Sequence, residues 1–241
     1  MSTPSPSLDP GNLAPLAESF RVGNTADGAP VFDPAYTAVS GAMQSAFDSA
    51  RLLSEAAESV KAAHDPAAER RLRASASARL DTARKSIDTA MSTIDARRAQ
   101  LETEIEADLN LPNARAGVVE NLQANDVRSR LRQLGGGSAA FDAVRAAIAN
   151  NDLLGVSAVL AASPLASGLG YKEHKMLREM AEQAWSPKRV AMRVGLEKLS
   201  ATVARAGDIL SANYGGLAGE GNGREARKER ALKALENGGG N

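Results

Sequence analysis

The side chains that could do chemistry in this chain are few and scattered. There are two histidines, His64 and His174. His174 stands in Tyr171-Lys172-Glu173-His174-Lys175, where Glu173 or Glu179 could serve it as an acid–base partner. A helical zinc site needs a second histidine four residues on, so that both rings share one face, and that position is Arg178. Both histidines therefore read as ordinary solvated or partly packed side chains. Cysteine is absent, which removes thiolate nucleophiles, disulfides and cysteine metal sites. Gly135-Gly136-Gly137-Ser138 has the glycines of a phosphate-cradling loop, but no Lys-Ser/Thr follows and no strand pattern precedes it. It reads as a hinge and a candidate domain boundary. Glu102, Glu104 and Glu106 alternate round a helix, whereas carboxylates acting as acid and base need a cleft that separates their environments. The sequence thus offers no catalytic residue, no metal site and no cofactor, and it reads as a non-enzyme.

The elements that would position any site are clearer. Ala67 to Leu109 contains no glycine or proline, and Leu80, Ile87, Ile94 and Leu101 fall seven apart. Pro66 sits where a helix can start and Pro112 just past where it must stop. At 1.5 Å per residue this is a rod of roughly 60 Å, too long to bury its stripe against one small core. It must lie along another helix, so these four residues are the expected self-association seam, closed by a second copy or by the chain folding back. Its first half carries Arg70, Arg71, Arg73, Arg79, Arg84 and Lys85 against Glu69 and Asp81. Its second half carries Asp88, Asp95, Glu102, Glu104, Glu106 and Asp108 against Arg97 and Arg98. The helix macrodipole favours the reverse order, by about 1 kcal/mol. An antiparallel partner resolves the conflict, because each basic half then faces an acidic half. Glu55 and Glu58, just before the turn, are expected to face Arg70, Arg71 and Arg73 just after it. The longer helix overhangs the shorter one, so its acidic end is expected to lack a complement within the chain.

Composition points the same way. Apolar residues make up 43% and aromatics only 3%, which suits thin helix bundles with alanine at close contacts. A formal net charge of zero argues against general nucleic-acid binding by the whole protein. No run of about 18 apolar residues occurs, so no transmembrane helix is expected. The first residues lack the basic and apolar regions of a secretory signal. The expected location is the cytoplasm of a host cell or a virion.

The fold class read from these patterns is all-α: a long antiparallel, coiled-coil-like helical hairpin, then a small helical module, with flexible terminal segments. Residues 1–33 read as an extended arm with a short amphipathic piece from Leu13 to Phe20. Residues 34–134 read as the hairpin plus a third helix, with Asp33 and Asp65 as caps and His64-Asp65-Pro66 as the turn. Residues 138–214 read as the module. In it Ser138 and Asp152 open helices, while Trp185 and the two leucines of the 163–170 loop add core contacts. Residues 215–241 read as a glycine-rich linker and a charged helix. Arg224, Arg227, Lys228, Arg230 and Lys233 of that helix form a candidate docking face for an acidic protein surface or nucleic acid.

Asn151 to Leu169, with its short apolar stretch Leu153-Leu154-Gly155-Val156-Ser157-Ala158-Val159-Leu160 and the loop Ser163-Pro164-Leu165-Ala166-Ser167-Gly168-Leu169, is similar to a segment of uncharacterised structural-module proteins of tailed bacteriophages. Trp185-Ser186-Pro187 continues the likeness, which covers residues 151–187 and carries no catalytic motif. The resemblance implies a phage virion or assembly protein and transfers no functional residue. The sequence reading is therefore a non-catalytic structural or assembly protein, a capsid scaffold or accessory component. Its expected partners are further copies of itself and phage capsid or portal proteins. The alternative is a nucleic-acid-associated protein using the C-terminal basic helix and the basic half of the 67–109 helix.

Overall fold

Asp33 fixes where the first long helix begins. Its carboxylate accepts a hydrogen bond from the Ala35 amide at 2.9 Å, satisfying a donor that every helix start leaves open. From there α1 runs Pro34–Ala63. Asp65 repeats the device on the Ala67 amide at 2.8 Å and opens α2, Pro66–Asp108. The structure, a computed structural model, describes residues 5–63, 65–111 and 118–219. The further helices are α3 (Val118–Gln133), α4 (Gly137–Ala149), α5 (Leu153–Leu160), α6 (Tyr171–Trp185) and α7 (Pro187–Tyr214). The protein is all-α, with one small antiparallel hairpin, β1 (Arg21–Asn24) and β2 (Pro30–Phe32), among the described residues. No helix among them is long and apolar enough to cross a membrane.

The chain divides into two compact units, Met1–Arg97 with Gly195–Asn241, and Arg98–Val194. The boundary expected at Gly135–Gly137 is not found, because both sides of it belong to the second unit. The helices α2 and α7 instead carry the chain from one unit into the other.

In the first unit α1, α2 and α7 form a three-helix bundle. Asp33 bonds Arg97 at 2.7 Å across 64 residues of sequence, and the midpoint of that span is Asp65 in the turn. The two helices therefore run antiparallel along the length of α1. Arg84 reaches Ser211, Ile87 lies against Gly207 and Met91 meets Ser200, so α7 is antiparallel to α2 as well. Ser54 hydrogen-bonds Tyr214 at 3.1 Å and ties α1 to α7. The buried stripe of α2 is Ala76, Leu80, Ala83, Ile87, Ala90 and Ile94, alternating steps of four and three in the pattern of a coiled-coil seam. Small and large residues alternate along it, which lets the helix axes come close at each alanine. Residues Leu196, Leu199, Val203, Ala206 and Leu210 of α7 follow the same steps.

The N-terminal segment is not the arm expected from its composition. It folds as 3-10 helical turns, Pro6–Leu8 and Pro10–Phe20, followed by the β-hairpin. Leu8, Leu13 and Phe20 are fully buried. Tyr36, on the first turn of α1, stacks with Phe20 at a centroid distance of 5.8 Å and packs on Phe32 at 4.9 Å. Its hydroxyl donates to the Leu13 carbonyl at 3.4 Å. Three of the chain's few aromatics thus fasten the segment to the bundle.

The second unit packs α3 to α6 with the end of α2 and the start of α7. Its core includes Leu101, Ile105, Leu109, Leu131, Val144, Val156, Val159, Leu169, Leu177 and Val190. Asp152 caps α5 through the Gly155 amide at 2.9 Å, as expected. Ser138 does not cap α4: it lies inside the helix, whose N-cap is Gly136 at φ 67°. Gly136 and Gly168 (φ 71°) touch backbone to backbone, and the Gly137 amide donates to the Gly168 carbonyl at 2.8 Å. A Cβ on Gly136 would stand 3.0 Å from that carbonyl oxygen. The glycine run is therefore a packed left-handed corner and not a hinge. Of the two leucines in the 163–170 loop, Leu169 is buried and Leu165 is 69% exposed, which corrects the expected core role of Leu165. Trp185 is half-buried and its indole donates to Asn151 at 2.6 Å.

Two expectations follow. Ile94→Asp places a charge in a fully buried position and should cost about 3 kcal/mol or more; an unchanged thermal melt would mean the seam is open. Two glycines of α7 should respond with opposite signs. Alanine is worth up to about 1 kcal/mol over glycine in a helix interior. At Gly207 a Cβ meets Ile87 at an ordinary 3.8 Å, so Gly207→Ala should stabilise. At Gly195 it would stand 2.7 Å from the fully buried Phe20 ring, and Gly195→Ala should destabilise by about 1–3 kcal/mol net of propensity. Urea denaturation reads both.

Candidate functional site

The acidic end of α2 finds its complement inside the chain. Arg193 bonds Glu102 at 3.3 Å, Arg189 bonds Glu104 at 3.0 Å and also Asp108, and Arg178 reaches Glu106 at 3.5 Å. Ser186 donates to Asp108. At the centre lies Glu182, its side chain only 4% exposed, bonded by Arg178 at 3.0 Å and by Arg193. The unmatched acidic overhang expected from the sequence is corrected by these contacts. The local logic is helical: Arg189 and Arg193 are one turn apart on α7, as Glu104 and Asp108 are on α2, so antiparallel helices bring the two rows together. The hydrogen bond to Glu104, then those of Asp108 and the attraction of both acids, hold the Arg189 proton more tightly than usual, against the opposing effect of burial. Glu182 does the same first for Arg193, with Glu102 adding to it, again against burial. The network ties five carboxylates to three guanidiniums and acts as a clasp within the second unit.

The basic end of α2 stands in the opposite condition. Arg70, Arg71, Arg73, Arg79 and Lys85 are exposed, and none makes an ion pair or side-chain hydrogen bond among the described residues. Arg84 is held by Asp81 at 3.9 Å and by Ser211. The expected partner Glu55 pairs instead with Arg51 on its own helix at 3.4 Å.

The remaining sequence candidates are placed as follows. Leu80, Ile87, Ile94 and Leu101 are all buried within the chain. The seam expected to serve self-association is thus closed by fold-back, and none of it is left for a second copy. Arg224, Arg227, Lys228, Arg230 and Lys233 lie outside the described residues, as does His64. His174 has one ring nitrogen, Nε2, buried without a partner. Its expected acid–base partners are engaged elsewhere: Glu173 accepts from the Gly170 amide at 2.8 Å as part of a helix cap, and Glu179 lies 3.9 Å from Lys175. Among the described residues no three acidic or histidine side chains converge as metal ligands. A shallow, mostly apolar cleft of about 280 Å³ in the first unit is lined by Ser54, Ala57, Glu58, Lys61, Asn213, Tyr214 and Leu217.

Sequence reasoning passed over one apolar group. Leu134, Leu165 and Tyr171 are 55%, 69% and 71% exposed, and each lies within three residues of the Gly136–Gly168 contact. That contact joins two segments distant in sequence, Leu134–Gly137 and Leu165–Tyr171. The signal available in the sequence was weak: large apolar residues beside glycines, which read equally well as loop packing.

Glu182→Gln keeps the shape and removes the charge, leaving the part-buried Arg193 against a neutral amide. It should cost about 2–4 kcal/mol by urea denaturation, as breaking a buried pair does. A loss under about 0.5 kcal/mol would place the pair with solvent-screened surface bridges. No family model, curated protein or solved structure matches the chain.

Proposed function

We propose that this chain is a non-catalytic helical assembly protein, acting in a bacteriophage virion or during capsid assembly. It associates with copies of itself and with capsid or portal proteins through the exposed apolar corner of its second unit. The observation that carries the reading is that Leu134, Leu165 and Tyr171, all exposed, each lie within three residues of the Gly136–Gly168 contact. Large apolar side chains exposed singly are ordinary, but several gathered at one place mark a surface that a partner covers. The corner is well suited to docking. Its backbone is fixed by two left-handed glycines and the hydrogen bond from the Gly137 amide to the Gly168 carbonyl, so little order has to be gained on binding. With the apolar seam closed within the chain, self-association in this reading uses the corner and not the seam.

The test is the mass of the native protein in solution, by light scattering on a sizing column. The full chain should associate at micromolar concentration. Leu165→Asp with Tyr171→Asp should shift it to monomer with the thermal melt nearly unchanged, since both side chains already face water. A monomeric parent, or a double variant that still associates, would remove the corner as the interface. Detection in purified particles against precursor shells then separates virion component from scaffold.

A further inference from the structure

We propose that the outward face of the first turns of α2 binds the phosphate walls of a double-stranded nucleic acid, without sequence preference. This inference rests on the first unit and is independent of the apolar corner.

The sequence places six bases against two acids between Glu69 and Lys85, and the fold leaves most of that excess uncompensated. The acidic half of the same helix is occupied by Arg178, Arg189 and Arg193. Arg70, Arg71, Arg73, Arg79 and Lys85 have no such counter-charge among the described residues. Five exposed cations on about 22 Å of helix repel one another, and an anionic partner removes that cost.

The angular spread of the cations selects the partner. At about 100° per residue, Arg70, Lys85, Arg71 and Arg79 fall at roughly 0°, 60°, 100° and 180° round the helix, while Arg73, at roughly 300°, sits at the edge of the buried stripe. The buried positions Ala76, Leu80, Ala83 and Ile87 centre on roughly 250° by the same count. The charges therefore cover both flanks of the exposed face. A flat acidic protein surface meets only one flank of a helix. A duplex groove about 12 Å wide admits a helix and presents phosphates on both sides. Arginine predominates, and its planar fork suits phosphate oxygens. Pro66 to Arg97 contains no aromatic residue to stack on a base, and no Asn or Gln to read adenine. The chemistry is dominated by backbone contact.

The experiment is fluorescence anisotropy of a labelled DNA duplex of about 20 bp and mixed sequence, titrated with the full chain at several salt concentrations. Four phosphate contacts predict a slope of about −3.6 in log affinity against log salt, or a loss of about a hundredfold between 50 and 200 mM. The variant Arg70→Ala, Arg71→Ala, Arg79→Ala, Lys85→Ala should reduce the slope by nearly that amount. Lys172→Ala with Lys188→Ala, exposed cations of the second unit, should leave it unchanged. Single Arg71→Ala and Lys85→Ala variants, each expected to lower the slope by about one, cover the case in which the fourfold variant melts early. Replacing the three arginines by lysine should keep binding within several-fold. Absence of binding at 50 mM salt, a fourfold variant that binds like the parent, or poly-glutamate competing as well as the duplex at equal charge would each overturn the proposal.

Discussion

The carboxylate of Asp33 is the point on which the first unit depends. It is almost fully buried, and a buried charge is tolerated only when it is paired and hydrogen-bonded. One oxygen holds the Ala35 amide and so starts α1; the other holds Arg97 and so sets how far along α2 that start must lie. The same residue's amide donates to the Phe20 carbonyl at 2.8 Å and brings in the N-terminal segment. Slipping the hairpin by one residue would break the cap or strand the guanidinium. An apolar stripe with a heptad repeat accepts other registers at little penalty, whereas this ion pair accepts one.

Around that fixed point the bundle is built from small contacts. With 3% aromatic residues the chain cannot fill a thick interior. The alternation of Ala76, Ala83 and Ala90 with Leu80, Ile87 and Ile94 makes a thin one instead. Close helix axes leave little room for error, which is why a single added methyl is harmless at Gly207 and a collision at Gly195. The aromatics that exist are concentrated where the 3-10 turns meet α1. There Tyr36 is raised above the ordinary tyrosine range by burial beside Phe20 and Phe32.

What the sequence made legible was local or periodic. Asp33-Pro34 and Asp65-Pro66 announce helix starts by themselves, and the seven-residue spacing of Leu80, Ile87, Ile94 and Leu101 identifies a buried stripe. The destination of that stripe was not legible, because nothing local says that α7 returns along α2. For the same reason Arg189 and Arg193 gave no sign that they complement Glu102, Glu104 and Asp108. Of the N-terminal segment only the amphipathic piece from Leu13 to Phe20 was legible, within what is the longer run Pro10–Phe20; 3-10 turns broken by proline leave no sustained repeat to find. The glycine run looked like a hinge because its partner, Gly168, is far away in sequence. The apolar corner escaped notice for the same reason.

The first unit is discontinuous, and its two pieces are separated by the whole of Arg98–Val194. Phe20 packs against Gly195 across the whole of that insertion. At ordinary synthesis rates of 5–20 residues per second, the hairpin waits roughly 5–20 s for α7 to be made. Through that interval the stripe from Ala76 to Ile94 has one of its two neighbours. A nascent chain on a crowded polysome therefore displays, for seconds, the heptad surface that the finished protein conceals.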